Sequence, residues 1–155
     1  MGQNRLIHIE VEQDPQRVAS PEHQHEQAVA IYDILDENEF ALARHDGPYR
    51  LRLGTDMRHI HFDVQDEAGT PLNGFIMALG PFRRIMRDYG HVCTTYYDAI
   101  RTKSPSQIQA IDMGRRALHN EGSALLAERL AHFVAMDELT SRRLFTLIFV
   151  MTSRR

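Results

Sequence analysis

Leu6, Ile7, Ile9 and Val11 alternate with His8, Glu10 and Glu12, the period of a strand with one buried face. Asp14-Pro15 predicts its end. Ser20-Pro21-Glu22 then supplies an N-cap, a proline suited to the first helical position and a carboxylate near the positive helix end. Ala28, Ile31, Tyr32 and Leu35 recur at helical spacing, so a first helix is expected from about Pro21 to about Glu39. His45-Asp46-Gly47-Pro48 is a turn signal. Tyr49, Leu51 and Leu53 alternate with Arg50 and Arg52. After Gly54-Thr55-Asp56, Ile60, Phe62 and Val64 alternate with His59, His61 and Asp63. A second turn from Asp66 to Pro71 leads to a third strand, Leu72 to Leu79. These three strands read as an antiparallel meander with one buried face.

Gly80-Pro81 opens a second helix with an apolar stripe of Ile85, Tyr89, Val92, Cys93, Tyr96 and Ile100. Ser104-Pro105-Ser106-Gln107 has the spacing of a capping box with proline in the first turn. The third helix carries Ile108, Ile111, Leu118, Leu125 and Leu126. Asn120-Glu121-Gly122-Ser123 interrupts it with poor helix formers. Two readings stay open there: the helix breaks, or Gly114 and Gly122 admit a close neighbour. His132 to Met136 can form a short strand, and Asp137 caps a last helix through about Met151. The expected fold is α+β, with an antiparallel sheet (the N-terminal strand plus the meander) packed against about four helices and a mainly helical C-terminal part.

The 155 residues fit one domain, 1–155, with 43% hydrophobic and 25% charged residues. The only cysteine, Cys93, excludes an internal disulfide framework and a thiolate-based zinc site. No apolar run has signal-peptide or membrane-spanning length, so a reducing cytoplasm is the expected setting, without a membrane partner. The net charge of −3 is unevenly spread. Met1 to Phe82 holds 6 basic and 14 acidic residues, Arg83 to Arg116 holds 7 and 3, and the remainder holds 5 and 4. Such polarity suits attraction of a small anion or docking with a protein partner, a second copy included.

Several stretches resemble the bacterial family UPF0262, found in alphaproteobacteria. They are Ala28 to Asp33, Gly47 to Leu51, Gly80 to Arg84, Tyr96 to Thr102 running on through Ser104 to Ile108, Ala110 to Arg116, Leu118 to Ser123, and Arg142 to Ile148. The likeness covers nearly the whole chain. Gly90-His91-Val92, the tail from Phe149 to Arg155 and the His59-x-His61 pair depart from the family pattern. The resemblance implies no activity, cofactor or catalytic residue.

Arg115-Arg116-Ala117-Leu118-His119-Asn120-Glu121 is the segment richest in chemistry. On a helix, Arg115 and His119 share a face, as do Arg116 and Asn120. Two guanidiniums can clamp a phosphate or carboxylate, and a histidine beside them can move a proton near neutral pH. His119 and Glu121 are the acid/base candidates on that reading, with Arg115, Arg116 and Asn120 as binding groups. The alternative is an arginine salt-bridged within the chain. Arg83 and Arg84, at the start of the second helix, are further anion candidates, to be weighed against ion pairs with the acidic half.

His59 and His61 could share a metal on a strand face, with Asp63 alongside. No four-ligand spacing accompanies them, so no metal or other cofactor is expected. His23 and His25 point apart on a helix. Cys93 reads as a buried, inert thiol. No Gly-x-Ser-x-Gly elbow, Walker loop or dinucleotide fingerprint occurs. Three functional classes follow. A non-catalytic binding or regulatory module is favoured because no complete catalytic set is visible. An enzyme or sensor for a phosphorylated or carboxylated metabolite would use Arg115, Arg116, His119 and Glu121. A nucleic-acid-associated protein would use Arg83 to Arg116, against an acidic pI near 6.3. Convergence of the four residues in a concave pocket favours the metabolite, an open convex arginine stripe favours nucleic acid, and salt-bridged, flat arginines favour the module.

Overall fold

In the computed structural model, residues 3–12 and 20–153 are described. The chain runs β1 (Leu6–Val11), α1 (Pro21–Asp36), β2 (Phe40–Leu42), β3 (Tyr49–Thr55), β4 (His59–Gln65), β5 (Pro71–Ala78), α2 (Arg83–Thr102), α3 (Pro105–Leu130), β6 (Val134–Met136) and α4 (Glu138–Thr152). A single 3₁₀ turn, Gly80–Phe82, leads into α2. The class is α+β. The Asp14-Pro15 stop lies outside the described residues.

The main sheet has the order β1-β3-β4-β5. The meander is antiparallel, with Leu53 opposite Phe62 and Phe62 opposite Phe75. β1 corrects the all-antiparallel expectation: it runs parallel to β3, with Ile9 opposite Leu51. The cause is α1, which acts as a crossover. A helix between two paired strands returns the chain to the end from which it set out.

α1 ends at Asp36, short of Glu39, because Asn38 turns away to the sheet. Its amide donates to Ile34 O and Leu6 O at 2.9 and 3.1 Å, and its Oδ1 accepts from Leu6 N at 2.8 Å. The chain is thereby extended in time for Phe40, fully buried in β2. β2 was not legible in the sequence. It pairs antiparallel with β6, Ala41 opposite Ala135.

Alternation places Leu51, Leu53, Ile60, Phe62 and Val64 on the sheet's inner face, each 1% exposed or less. Phe75 stacks on Phe62 and on Phe133 at centroid distances of 5.0 and 4.5 Å. α4 is the central helix, burying Leu144, Phe145, Leu147 and Ile148. Each such side chain contributes about 1.5–3 kcal/mol. Asp137 caps α4 by accepting from Thr140 N at 2.9 Å. Ser104 and Gln107 form the reciprocal capping box of α3.

α3 runs unbroken through Asn120 to Ser123. Of the two explanations left open for that stretch, the close neighbour holds at Gly122, where a β-carbon would overlap the Phe145 ring. Gly114 has open space around it. No described helix is long and apolar enough to cross a membrane.

Candidate functional site

The α3 segment lies at a seam with α2 on one side and α4 on the other. His119 faces inward, 8% exposed, with the rings of Tyr89 and Phe145 at 5.5 and 5.2 Å. Its Nε2 lies 2.8 Å from Thr146 Oγ1, and its Nδ1 lies 3.4 Å from Ser123 Oγ. Thr146 directs its hydroxyl proton to Arg142 O and Ser123 directs its own to His119 O. Both hydroxyl oxygens are left to accept, and the shorter contact, 2.8 against 3.4 Å, favours Nε2 as the protonated nitrogen. Burial, then the charges of Arg142 and Arg115, push the ring's pKa down from 6.5 to about 4. The imidazole is therefore neutral at pH 7. Burial likewise pushes the Tyr89 phenol up to about 12.

Arg115 and Arg116 both turn back to one carboxylate a turn earlier. Arg115 reaches Asp112 Oδ1 through Nε at 3.0 Å and Nη2 at 2.6 Å, and Arg116 Nε reaches Oδ2 at 2.9 Å. The bond from Arg115 holds the Asp112 carboxyl below its usual range. Arg115 also lies over the Tyr96 ring, 5.1 Å from its centroid. Glu121 points to the α2 side, where it accepts from Arg84 Nη2 at 2.6 Å. Asn120 points to the α4 side and accepts from Arg142 Nη1. The two neighbours thus diverge, as 100° per residue requires.

Arg83 is drawn elsewhere and donates to Met57 O at 2.6 Å. Arg84 alone of that pair joins the α3 segment. Asn120, Ser123, Ser141 and Arg142 line an open depression of about 210 Å³ between α3 and α4. Arg115, Arg116, His119 and Glu121 are not among its lining residues. A second depression of about 240 Å³, with Arg52, Asp63 and Asn73 at its walls, lies on the sheet's exposed face.

His59 and His61 gather on Asp56, with His61 Nε2 at 2.8 Å and His59 Nδ1 at 3.5 Å. Asp63 sits opposite Arg52 and Gly74. Asp56 Oδ1 also accepts from the amides of Arg58 and His59 at 2.7 and 2.9 Å. Among the described residues no group of three His, Cys, Asp or Glu side chains is placed to hold a metal.

Sequence reasoning missed Arg142 and Arg143. Arg143 Nη1 donates to Asp33 O at 2.6 Å and Glu37 O at 3.2 Å, serving the C-terminal end of α1, which has no basic residue in its own last turn. The absence of such a residue in α1 was the one available signal.

A sequence model of a family described as an uncharacterised protein family, UPF0262, matches residues 3–154. A UPF0262 protein of Methylobacterium radiotolerans is 46% identical over 150 residues, covering 97% of this chain and 94% of that protein. One from Bradyrhizobium sp. strain ORS 278 is 47% identical over 150 residues, covering 96% and 89%. One from Rhodospirillum rubrum is 47% identical over 151 residues, covering 97% and 94%. No solved structure matches the chain.

Proposed function

The chain belongs to UPF0262, a family that brings no assignable activity, and from that premise we propose that it is a non-catalytic binding or regulatory module that docks a protein partner. One observation carries the reading: the groups that could form a reaction site are engaged with one another. Arg115 and Arg116 share Asp112, Arg84 meets Glu121, Arg142 meets Asn120, and His119 is buried against Thr146. An anion would have to displace these carboxylates, and His119 would have to become exposed to pass a proton to a substrate.

The working surface on this reading is the outer part of the α2–α3 hairpin. α4 ends at Thr152, beside Met86, and its Phe149 packs on Tyr89 and Gly90. Beyond that level, from His91 to Leu118, only Ala99 is buried. Tyr97, Ile100 and Met113 are 67%, 50% and 65% exposed there. Arg101, Lys103, Arg115 and Arg116 outnumber Asp98 and Asp112 on the same arm. Apolar anchors on a net-basic arm suit a protein surface that is acidic and partly apolar. The fitting compartment is the cytoplasm, where a lone thiol such as Cys93 stays reduced.

A thermal-shift panel of phosphate, nucleotides, sugar phosphates, short RNA and DNA, and zinc tests the proposal. The expected result is no shift. A ligand at a hundred times its dissociation constant adds about 2.7 kcal/mol, roughly 5–10 °C for a chain this size. A shift of that size with one small anion, lost in Arg115→Ala/Arg116→Ala, would replace the module with a metabolite site.

A further inference from the structure

The main sheet has two edges, and the chain treats them differently. At β1, Asn38 takes both the amide and the carbonyl of Leu6, and Glu10 places a charge along the strand. β5 has β4 on one side and, among the described residues, no strand on the other. Leu79 donates to Arg58 O at 2.8 Å, and hydrogen-bonded pairs in an antiparallel ladder recur at every second residue. In the observed register the bonds to β4 therefore fall at Met77, Phe75 and Asn73. The amides and carbonyls of Gly74, Ile76 and Ala78 point away from the sheet. Asn73 Oδ1 holds the Gly74 amide at 2.9 Å. Those of Ile76 and Ala78 have no partner among the described residues.

Open strand edges template pairing, and proteins usually blunt them with charge or proline. Here the edge strand is 8 residues long, with its one proline at the first position. No charged residue occurs from Ala68 to Phe82. Ile76 projects from the outer face, 56% exposed.

We infer that β5 is the contact between two copies of this chain, paired antiparallel across a twofold axis at Ile76 to make one sheet continuous through both. The open backbone groups suit a strand as occupant, and the uncharged, small side chains fit a second copy. In that register Ile76 meets Ile76 of the partner subunit, and Gly74 meets Ala78 of the partner subunit. The outward amides of Ile76 and Ala78 then face the outward carbonyls of Ile76 and Gly74 of the partner subunit. The seam sets no like charges opposite one another because the strand has none, and two of its three facing positions are Gly or Ala. A charged peptide would find no ion-pair partner along the strand. A contact made through one strand is smaller than a standard interface, so the dimer is expected to be weak and to form as concentration rises.

Sedimentation over a concentration series tests this. The chain should move from its mass of 17.9 kDa toward twice that value as concentration rises. Ile76→Lys sets two ammonium groups face to face and should hold the protein at 17.9 kDa throughout, with its melting temperature at low concentration unchanged. Met57→Lys, in the β3–β4 turn and 77% exposed, adds the same charge and should leave the dimer intact. Mixing Ile76→Lys with Ile76→Glu should restore a heterodimer, an outcome specific to this register. Hydrogen exchange at the Ile76 and Ala78 amides should slow as wild-type protein is concentrated. A wild type that remains monomeric at hundreds of micromolar would overturn the proposal, as would a dimer that survives Ile76→Lys.

Discussion

His119 and Gly122 show how single positions on α3 are constrained. The folded pKa of His119, about 4, lies below the 6.5 of a free imidazole, so between those values the unfolded chain binds the extra proton. Stability from this group is fully present above pH 6.5 and declines as pH falls toward 4, by up to ~3 kcal/mol. His119→Gln keeps a donor for Thr146 and removes the titration. Thermal unfolding from pH 4 to 6.5 should therefore slope steeply for wild type and weakly for the variant. Equal slopes would assign the proton to another group. At Gly122, an added methyl meets the fully buried Phe145 ring. Gly122→Ala should cost about 1–3 kcal/mol, a fall of several degrees in Tm. Gly114→Ala, in open space, should gain up to ~1 kcal/mol from helix propensity. Similar Tm shifts for the two alanines would sink the close-packing explanation.

Elements with a local signal were legible in the sequence. The capping box at Ser104, the Asp137 cap and the alternation of β3 and β4 are all written within a few residues. β2 was not, because Phe40-Ala41-Leu42 is too short to show a period and is defined by its pairing with β6. The direction of β1 was not legible either, since alternation reports a buried face and is silent about parallel or antiparallel pairing. Asn38 lies at the same limit: two of its three hydrogen bonds reach Leu6 of β1 across 32 residues, and the third holds Ile34 of α1. Asn38→Ala leaves the Leu6 backbone groups without their partner and should destabilise the chain by about 1–3 kcal/mol. Denaturant unfolding checks this, and an unchanged midpoint would mean that water replaces the amide.

At the scale of the molecule, the sequence showed which residues carry chemistry but not which way they turn. Arg115 and His119 share a helical face as their spacing requires, yet one reaches a surface carboxylate and the other enters the core. Glu121 and Asn120 are adjacent in sequence and bind opposite helices. The side-chain partners that decide these outcomes, Asp112, Thr146, Arg84 and Arg142, come from three helices, and only their packing brings them together. The segment that resembled a site in the sequence joins α2, α3 and α4, and the proposed docking arm projects from that junction. A non-catalytic α3 segment therefore requires His119 to be a buried, neutral member of the core. NMR titration of its ring resonances tests this most directly. A midpoint near 4, with the Nε2–H tautomer retained above it, is the result expected. A midpoint near 7 would mean a solvent-connected imidazole beside two guanidiniums, and would return the segment to candidacy as a proton-transfer site.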